Sequence, residues 1–247
     1  MTALHMQTSG DGQATQAGLR LNLRAAPAFL VLLAAPAGAG EWAPTVTLAS
    51  EYVYRGQALS DGNPAVQAGV DYEHGSGFFL GAWASTVDLE NFGGRRDAEL
   101  DFYLGWHYAP DGPVDVAATV LRYTWPGQST YFDYDYTEFL LNATLLDTWS
   151  LEYGYSDDIY GWNATGQHWE LRGDWPLQSA WVVSAGAGYN ILDEQGTTNH
   201  WYWDVGGSAR FGRLMVDLRW YDNETPTGSL AYLSAGSQWV LSLSAGF

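Results

Sequence analysis

The sequence predicts an all-β fold, an antiparallel up-and-down transmembrane β-barrel of about twelve strands. Three observations carry that expectation. Apolar and polar residues alternate with period two over most of residues 45–247. Short and long connections follow one another between the alternating segments. Tryptophans gather near the ends of one face of these segments, with Leu, Val and Ala between them.

Composition narrows the functional classes before any motif is read. The 247 residues contain no cysteine, so disulfide frameworks, zinc-thiolate sites and thiol nucleophiles are excluded. A formal net charge of −18 speaks against nucleic-acid binding, which needs clustered cations. All ten basic residues are arginine. Aromatic residues make up 15% of the chain, too many large rings for a disordered protein.

Residues 1–39 read as a secretory signal. Arg20 and Arg24 precede an apolar run from 25 to 35, and Ala37 and Ala39 place small residues before a cut after Ala39. The run is shorter than the ~20 residues of a spanning helix. No later apolar stretch reaches that length. The expected mature unit, 40–247, therefore crosses a membrane with strands if it crosses one at all.

Twelve strands are expected over 45–54, 64–74, 78–87, 99–108, 114–125, 136–145, 149–156, 167–176, 180–190, 200–211, 214–222 and 237–247. Most are near the ~10 residues that a tilted membrane strand requires. In 99–108, Leu100, Phe102, Leu104, Trp106 and Tyr108 share one face, while Glu99, Asp101 and His107 share the other. In 149–156, Trp149, Leu151, Tyr153 and Tyr155 oppose Ser150, Glu152, Gly154 and Ser156. The segments 180–190, 200–211 and 214–222 repeat the pattern with Trp181, Trp201, Trp203 and Trp220 on the apolar side. One face of each strand is thus built for an apolar surround, the other for a polar interior.

The connections 75–77, 109–113, 146–148, 177–179 and 212–213 are short, and those over 88–98, 126–135 and 157–166 are longer. An outer-membrane barrel has short periplasmic turns and long external loops, and an even strand count puts both termini at the short-turn end. The apolar face carries Trp106, Trp149, Trp169, Trp175, Trp181, Trp201, Trp203, Trp220 and Trp239, as two interfacial girdles would. Arg122 is the one charge on this face, near the rim end of its strand, where it costs little. The last strand ends at Trp239, Leu241, Leu243, Ala245 and Phe247, which resembles the C-terminal signal read by barrel-assembly machinery.

The motif SEYVYRG at 50–56, followed by DGNPAVQ at 61–67, resembles the opening of the TorF-type porins, the Gcw_chp family of proteobacterial outer-membrane proteins. GFFLGAWAS at 77–85, ELDFYLGW at 99–106 and YTWPG at 123–127 are similar to later blocks of that family. The resemblance implies an outer-membrane barrel with a transport role. It supplies no catalytic or cofactor-binding residues.

On the polar face, carboxylates outnumber arginines. The acidic candidates are Glu51, Asp71, Glu73, Glu99, Asp101, Asp115, Glu138, Glu152, Glu170, Asp174, Asp204 and Asp217; the basic ones are Arg172, Arg210, Arg219 and, at the rim, Arg55. An acidic lining favours cations by electrostatic focusing. The expected function is passive passage of small solutes or ions with cation preference, and Arg55, Glu99, Asp101, Glu138, Glu152, Arg172, Asp204 and Arg219 are the selectivity candidates. An interior in which these charges pair and plug the lumen is the competing arrangement. Arg55 and Gly56 mark a turn in which the arginine either lies at the mouth or pairs with Asp61. Asp133 with Asp135, and Asp157 with Asp158, lack the spacing of a calcium loop and read as solvated charge. No cofactor or metal is expected.

Two further classes stay open. A structural or adhesive barrel would share every feature above without conducting. A lipid-modifying barrel enzyme would need a serine with a histidine and a polar orienter. His74 and Ser76 are two apart but fall in a predicted tight turn, and His168 with Glu170 reads better as an interior hydrogen-bond pair than as a base with its orienter.

Overall fold

The computed structural model describes residues 40–89, 97–110, 112–126, 133–178, 180–192 and 199–247. The expected leader and its cut after Ala39 lie outside the described residues.

Twelve long strands close into one barrel. They are β1 (Glu41–Ala49), β4 (Ala65–Glu73), β5 (Phe78–Thr86), β6 (Ala98–Tyr108), β7 (Val114–Thr124), β8 (Tyr136–Leu145), β9 (Trp149–Ser156), β10 (Gly166–Gln178), β11 (Trp181–Leu192), β12 (His200–Phe211), β13 (Leu214–Asn223) and β14 (Gln238–Gly246). Between β1 and β4 sit two short strands, β2 (Val53–Tyr54) and β3 (Gln57–Ala58), paired only with each other. Every barrel strand runs antiparallel to both neighbours, and β1 closes the ring by pairing with β4 and β14. Closure removes the exposed edges that an open sheet would present.

The expected strand positions hold within three residues at each end except in the first strand. That strand was expected over 45–54 and lies at Glu41–Ala49. Proline donates nothing to a ladder and sits in a strand only where its missing N–H is not needed. Here Pro44 pairs with Val70 of β4, and its carbonyl accepts from the Phe247 amide at 3.1 Å. Beyond Ala49 the alternation continues in sequence, but the chain leaves the wall and turns inward to make β2 and β3.

The two faces separate as the alternation requires. Val46, Leu48, Val66, Leu80, Phe102, Leu104, Leu141, Leu151, Leu171, Val205, Leu218, Leu241 and Leu243 are exposed on the outside. Rings flank this aliphatic band. At the short-turn end Trp106 stacks on Tyr108 at 5.7 Å, and Trp149 meets Trp175 edge-on at 5.4 Å. At the other end Tyr153 lies 4.6 Å from Trp169, and Tyr189 lies 4.7 Å from Trp201. Trp42 adds an outward ring that the sequence had not placed, while Trp83 and Trp125 point in and are buried. Arg122 is exposed at the rim and reaches Asp135 at 3.7 Å.

Described residues of five long connections pack back onto the barrel. Tyr52 and Leu59, Val87 and Leu89, Trp125 and Tyr134, Ile159 and Ala164, and Leu230 and Leu233 come from these connections. All are buried in one apolar cluster with Trp83, Leu121, Tyr123, Tyr136 and Leu140 of the inner wall. Backbone bonds tie these connections together. Asp88 donates to the Leu59 carbonyl, Ala235 donates to that of Gly56, and Gln57 bridges Ser234. The mouth at this end is covered.

Candidate functional site

The interior has two levels, and the segment 50–64 joins them. Val53 pairs with Ala58 and Tyr54 with Gln57, leaving Arg55 and Gly56 as a two-residue turn. Both residues have positive φ, 48° and 78°, which a type I′ hairpin turn demands. Glycine meets this freely, and any side chain at 56 would also drive a Cβ within 2.8 Å of Asn223 Cβ. Arginine tolerates it poorly, so something must hold Arg55 there.

Glu138 of β8 does so. Arg55 Nη1 and Nη2 donate to its two carboxylate oxygens at 2.9 and 3.0 Å, a bidentate fork. The pair is nearly excluded from solvent, at 9% and 1% exposure. Burial works against the charge on Arg55, but the Glu138 carboxylate together with the Tyr54, Tyr123 and Tyr202 hydroxyls more than offsets it, so the guanidinium proton is held more tightly than usual. The neighbouring Tyr54 hydroxyl shares a 2.6 Å hydrogen bond with that of Tyr123, and Tyr123 donates to Glu138 at 3.0 Å. Burial pushes the Tyr54 hydroxyl well above its ordinary pKa.

His168 of β10 extends this network sideways. Its two ring nitrogens lie 3.1 Å from Glu138 and 3.1 Å from Glu152 of β9. The sequence had paired His168 with Glu170; the register instead gives Glu170 to Arg172 and to the Tyr202 hydroxyl, both at 3.1 Å. Arg55 bonds to Glu138 rather than to Asp61. Nothing in the spacing of 83 residues announced that partner.

A second network lies on β10–β13. Asp204 accepts from Arg172 at 2.9 Å on one oxygen and also accepts from Arg219. Arg219 donates further to Ser184 at 2.6 Å and to Asp217 at 3.2 Å. Arg172 reaches Asp204 across β11 because Gly186 lies between them; a Cβ there would fall 2.6 Å from the guanidinium and 2.8 Å from the carboxylate. Arg172, Asp204 and Arg219 were all expected on the inner face. Ser184 and Tyr202 completed the network unforeseen, since a lone Ser or Tyr on a polar face carries no signal in sequence. Arg210 keeps the expected face, opposite Met215, but is exposed at the strand end beside residues 212–213.

Glu99 and Asp101 differ from the rest. They are buried at 0% and 1%, and none of their four carboxylate oxygens has a hydrogen-bond partner. The register sets Asp101 opposite Trp83 on one side and Tyr123 on the other. Above these levels the covering connections leave a cavity of about 20 Å³ among Tyr54, Gln57, Leu59, Trp125, Tyr136 and Tyr160, room for about one water molecule.

The other candidates have local roles. Asp133 accepts from the Asp135 amide, Asp135 from that of Trp125, and Asp158 from that of Asn163 at 2.6 Å. Among the described residues no three His, Asp or Glu side chains are grouped to hold a metal. His74 Nδ1 and Ser76 Oγ share a 2.6 Å hydrogen bond on the exposed turn between β4 and β5, which also receives the Ser76 amide.

Twelve antiparallel strands closed round a charged interior define a porin-like barrel. A family model described as a bacterial protein of unknown function (Gcw_chp) matches residues 33–247, and the chain belongs to that family. Among solved structures the chain is similar to the KdgM porin, with a TM-score of 0.53 and 7% identity over 83% of this chain and 99% of that one. The KdgM porin in complex with disordered oligogalacturonate gives a TM-score of 0.53 at 6% identity, covering 84% and 99%. An outer-membrane channel from Pseudomonas putida F1 gives 0.47 at 13% identity, covering 90% and 99%. No curated protein matches the sequence. At these identities the likeness concerns the fold alone.

Proposed function

We propose that this protein is an outer-membrane channel for passive passage of small solutes or ions, with a preference for cations. The exported chain would sit with its aliphatic band in lipid, its short turns in the periplasm and its covered mouth outside. Its final strand, ending at Phe247, would serve the barrel-assembly machinery.

The observation that carries this reading is the inner face. A barrel plugged outright would match its inward charges, whereas here carboxylates outnumber arginines. This one lines its wall with Asp71, Glu73, Glu99, Asp101, Glu138, Glu152, Glu170, Asp204 and Asp217 against Arg55, Arg172 and Arg219. Such an excess concentrates cations in a confined passage. The covering connections then act as a gate whose closed state the Arg55–Glu138 pair holds.

The covered mouth also favours a second reading, a structural barrel that conducts nothing. Purified protein in a planar bilayer separates the two. Discrete current steps support the channel; a silent membrane with correctly folded protein supports the structural barrel. Release of fatty acid from phospholipid in the same preparation would instead point to the turn pair His74–Ser76.

Orientation has its own test, made clean by the lack of cysteine. Asn163→Cys should react with an impermeant maleimide on intact cells, because residue 163 is exposed at the long-connection end. Ser76→Cys should react only after the outer membrane is opened. The reverse pattern would invert the assigned topology.

A further inference from the structure

Among the described residues, arginine–carboxylate pairing inside the barrel is confined to one side. Among the described residues, each inward arginine serves carboxylates of β8–β13: Arg55 holds Glu138, while Arg172 and Arg219 hold Asp204. Among the described residues, the carboxylates of the opposite wall, β4–β6, have no arginine ion pair. Besides the four oxygens of Glu99 and Asp101, Asp71 Oδ2 and Glu73 Oε1 are buried without a hydrogen-bond partner. Asp71 accepts on its other oxygen from the Tyr103 hydroxyl, which reaches it over Gly81, and Glu73 lies 3.6 Å from His107.

We infer that cations cross the barrel along the β4–β6 wall, bound in turn by Glu99 and Asp101, Asp71 and Glu73, while the β8–β13 wall is a paired scaffold. This rests on the channel reading above and assigns its selectivity to particular residues. Register orders the four groups along the barrel. Glu99 starts near the covered mouth, Asp101 is one pleat further in, Asp71 stands level with Tyr103, and Glu73 stands level with Gly105. Successive levels are two residues apart, about 7 Å. That spacing suits transit. A hard metal ion is retained by six or more oxygens on one centre, whereas separate carboxylates bind a monovalent cation weakly and release it to the next. A buried carboxylate oxygen with neither hydrogen-bond partner nor cation is costly.

The test compares two neutralised walls in a potassium chloride gradient across a planar bilayer. Removing one charge about 7 Å from the ion's path, in water-like dielectric at low salt, should lower potassium occupancy and raise chloride occupancy about threefold each, and so lower the permeability ratio roughly sevenfold. Glu99→Gln with Asp101→Asn is therefore expected to reduce the ratio several-fold. Glu170→Gln with Asp217→Asn, on the scaffold wall, should change it far less. Asp71→Asn provides a second single-site reading lower on the same wall if the double variant does not fold. Equal losses from both walls, with a cation-selective wild type, overturn this assignment and leave the channel reading standing. A silent or anion-selective wild type overturns the channel reading and this inference with it.

Discussion

Asp204→Ala should abolish the stable barrel. The carboxylate accepts from two arginines, of which Arg219 is 3% exposed and Arg172 15%. Without it two guanidinium groups face each other in the interior, with only Glu170 and Asp217 left to share between them. Removing one partner from a buried ion pair costs about 3–5 kcal/mol, because the remaining charge stays desolvated. A typical folded domain has about 5–15 kcal/mol in total. The expected result is loss of most heat-modifiable mobility on gels and a large fall in the denaturation midpoint. Asp204→Leu combined with Arg172→Met, Arg219→Met, Glu170→Gln and Asp217→Asn should be far milder, since neutralising the whole buried network leaves no orphan charge. A wild-type midpoint for Asp204→Ala would show that water reaches this level of the barrel and solvates both arginines.

Arg55→Ala should open the channel. The fork to Glu138 holds a hairpin whose arginine sits at a φ of 48°. A hydrogen-bonded charged pair contributes about 1.5–3 kcal/mol. Its loss therefore shifts the closed-to-open ratio by roughly ten- to a hundredfold, at 1.4 kcal/mol per factor of ten. Single-channel recordings should show more frequent and longer openings with unchanged barrel mobility on gels. The converse lock uses the bridge between Gln57 and Ser234. Gln57→Cys with Ser234→Cys, in a chain with no native thiol, should silence the channel when oxidised and restore it on reduction. Identical gating in wild type, Arg55→Ala and the oxidised double variant would show that the hairpin is not the gate.

The wall of the barrel was legible because period two admits little else. Once Leu100 to Tyr108 must face one way, Glu99 to His107 must face the other, and the surround decides which face is outside. What alternation does not fix is the stagger between strands. Glu138, Glu152 and His168 were all readable as inward residues, yet their meeting depends on the register of β8, β9 and β10, which no single strand reveals. The pairing of Arg55 failed in sequence for a similar reason. Asp61 was near along the chain, whereas Glu138 is near only after the chain turns inward. The covered mouth escaped notice because connections are ordinarily solvated and polar. Leu59, Val87, Leu89, Ile159, Leu230 and Leu233 were the available signal, branched apolar residues placed where a free loop has no use for them.

The central claim is a cation-preferring passage, and its most direct measurement is the reversal potential of the wild-type protein in a potassium chloride gradient, repeated at rising salt. The account predicts a potential on the cation side at low salt. It should shrink as the Debye length falls from about 10 Å at 0.1 M to about 3 Å at 1 M, because screening then reaches the wall charges. A reversal potential on the anion side, or one indifferent to salt, would contradict it.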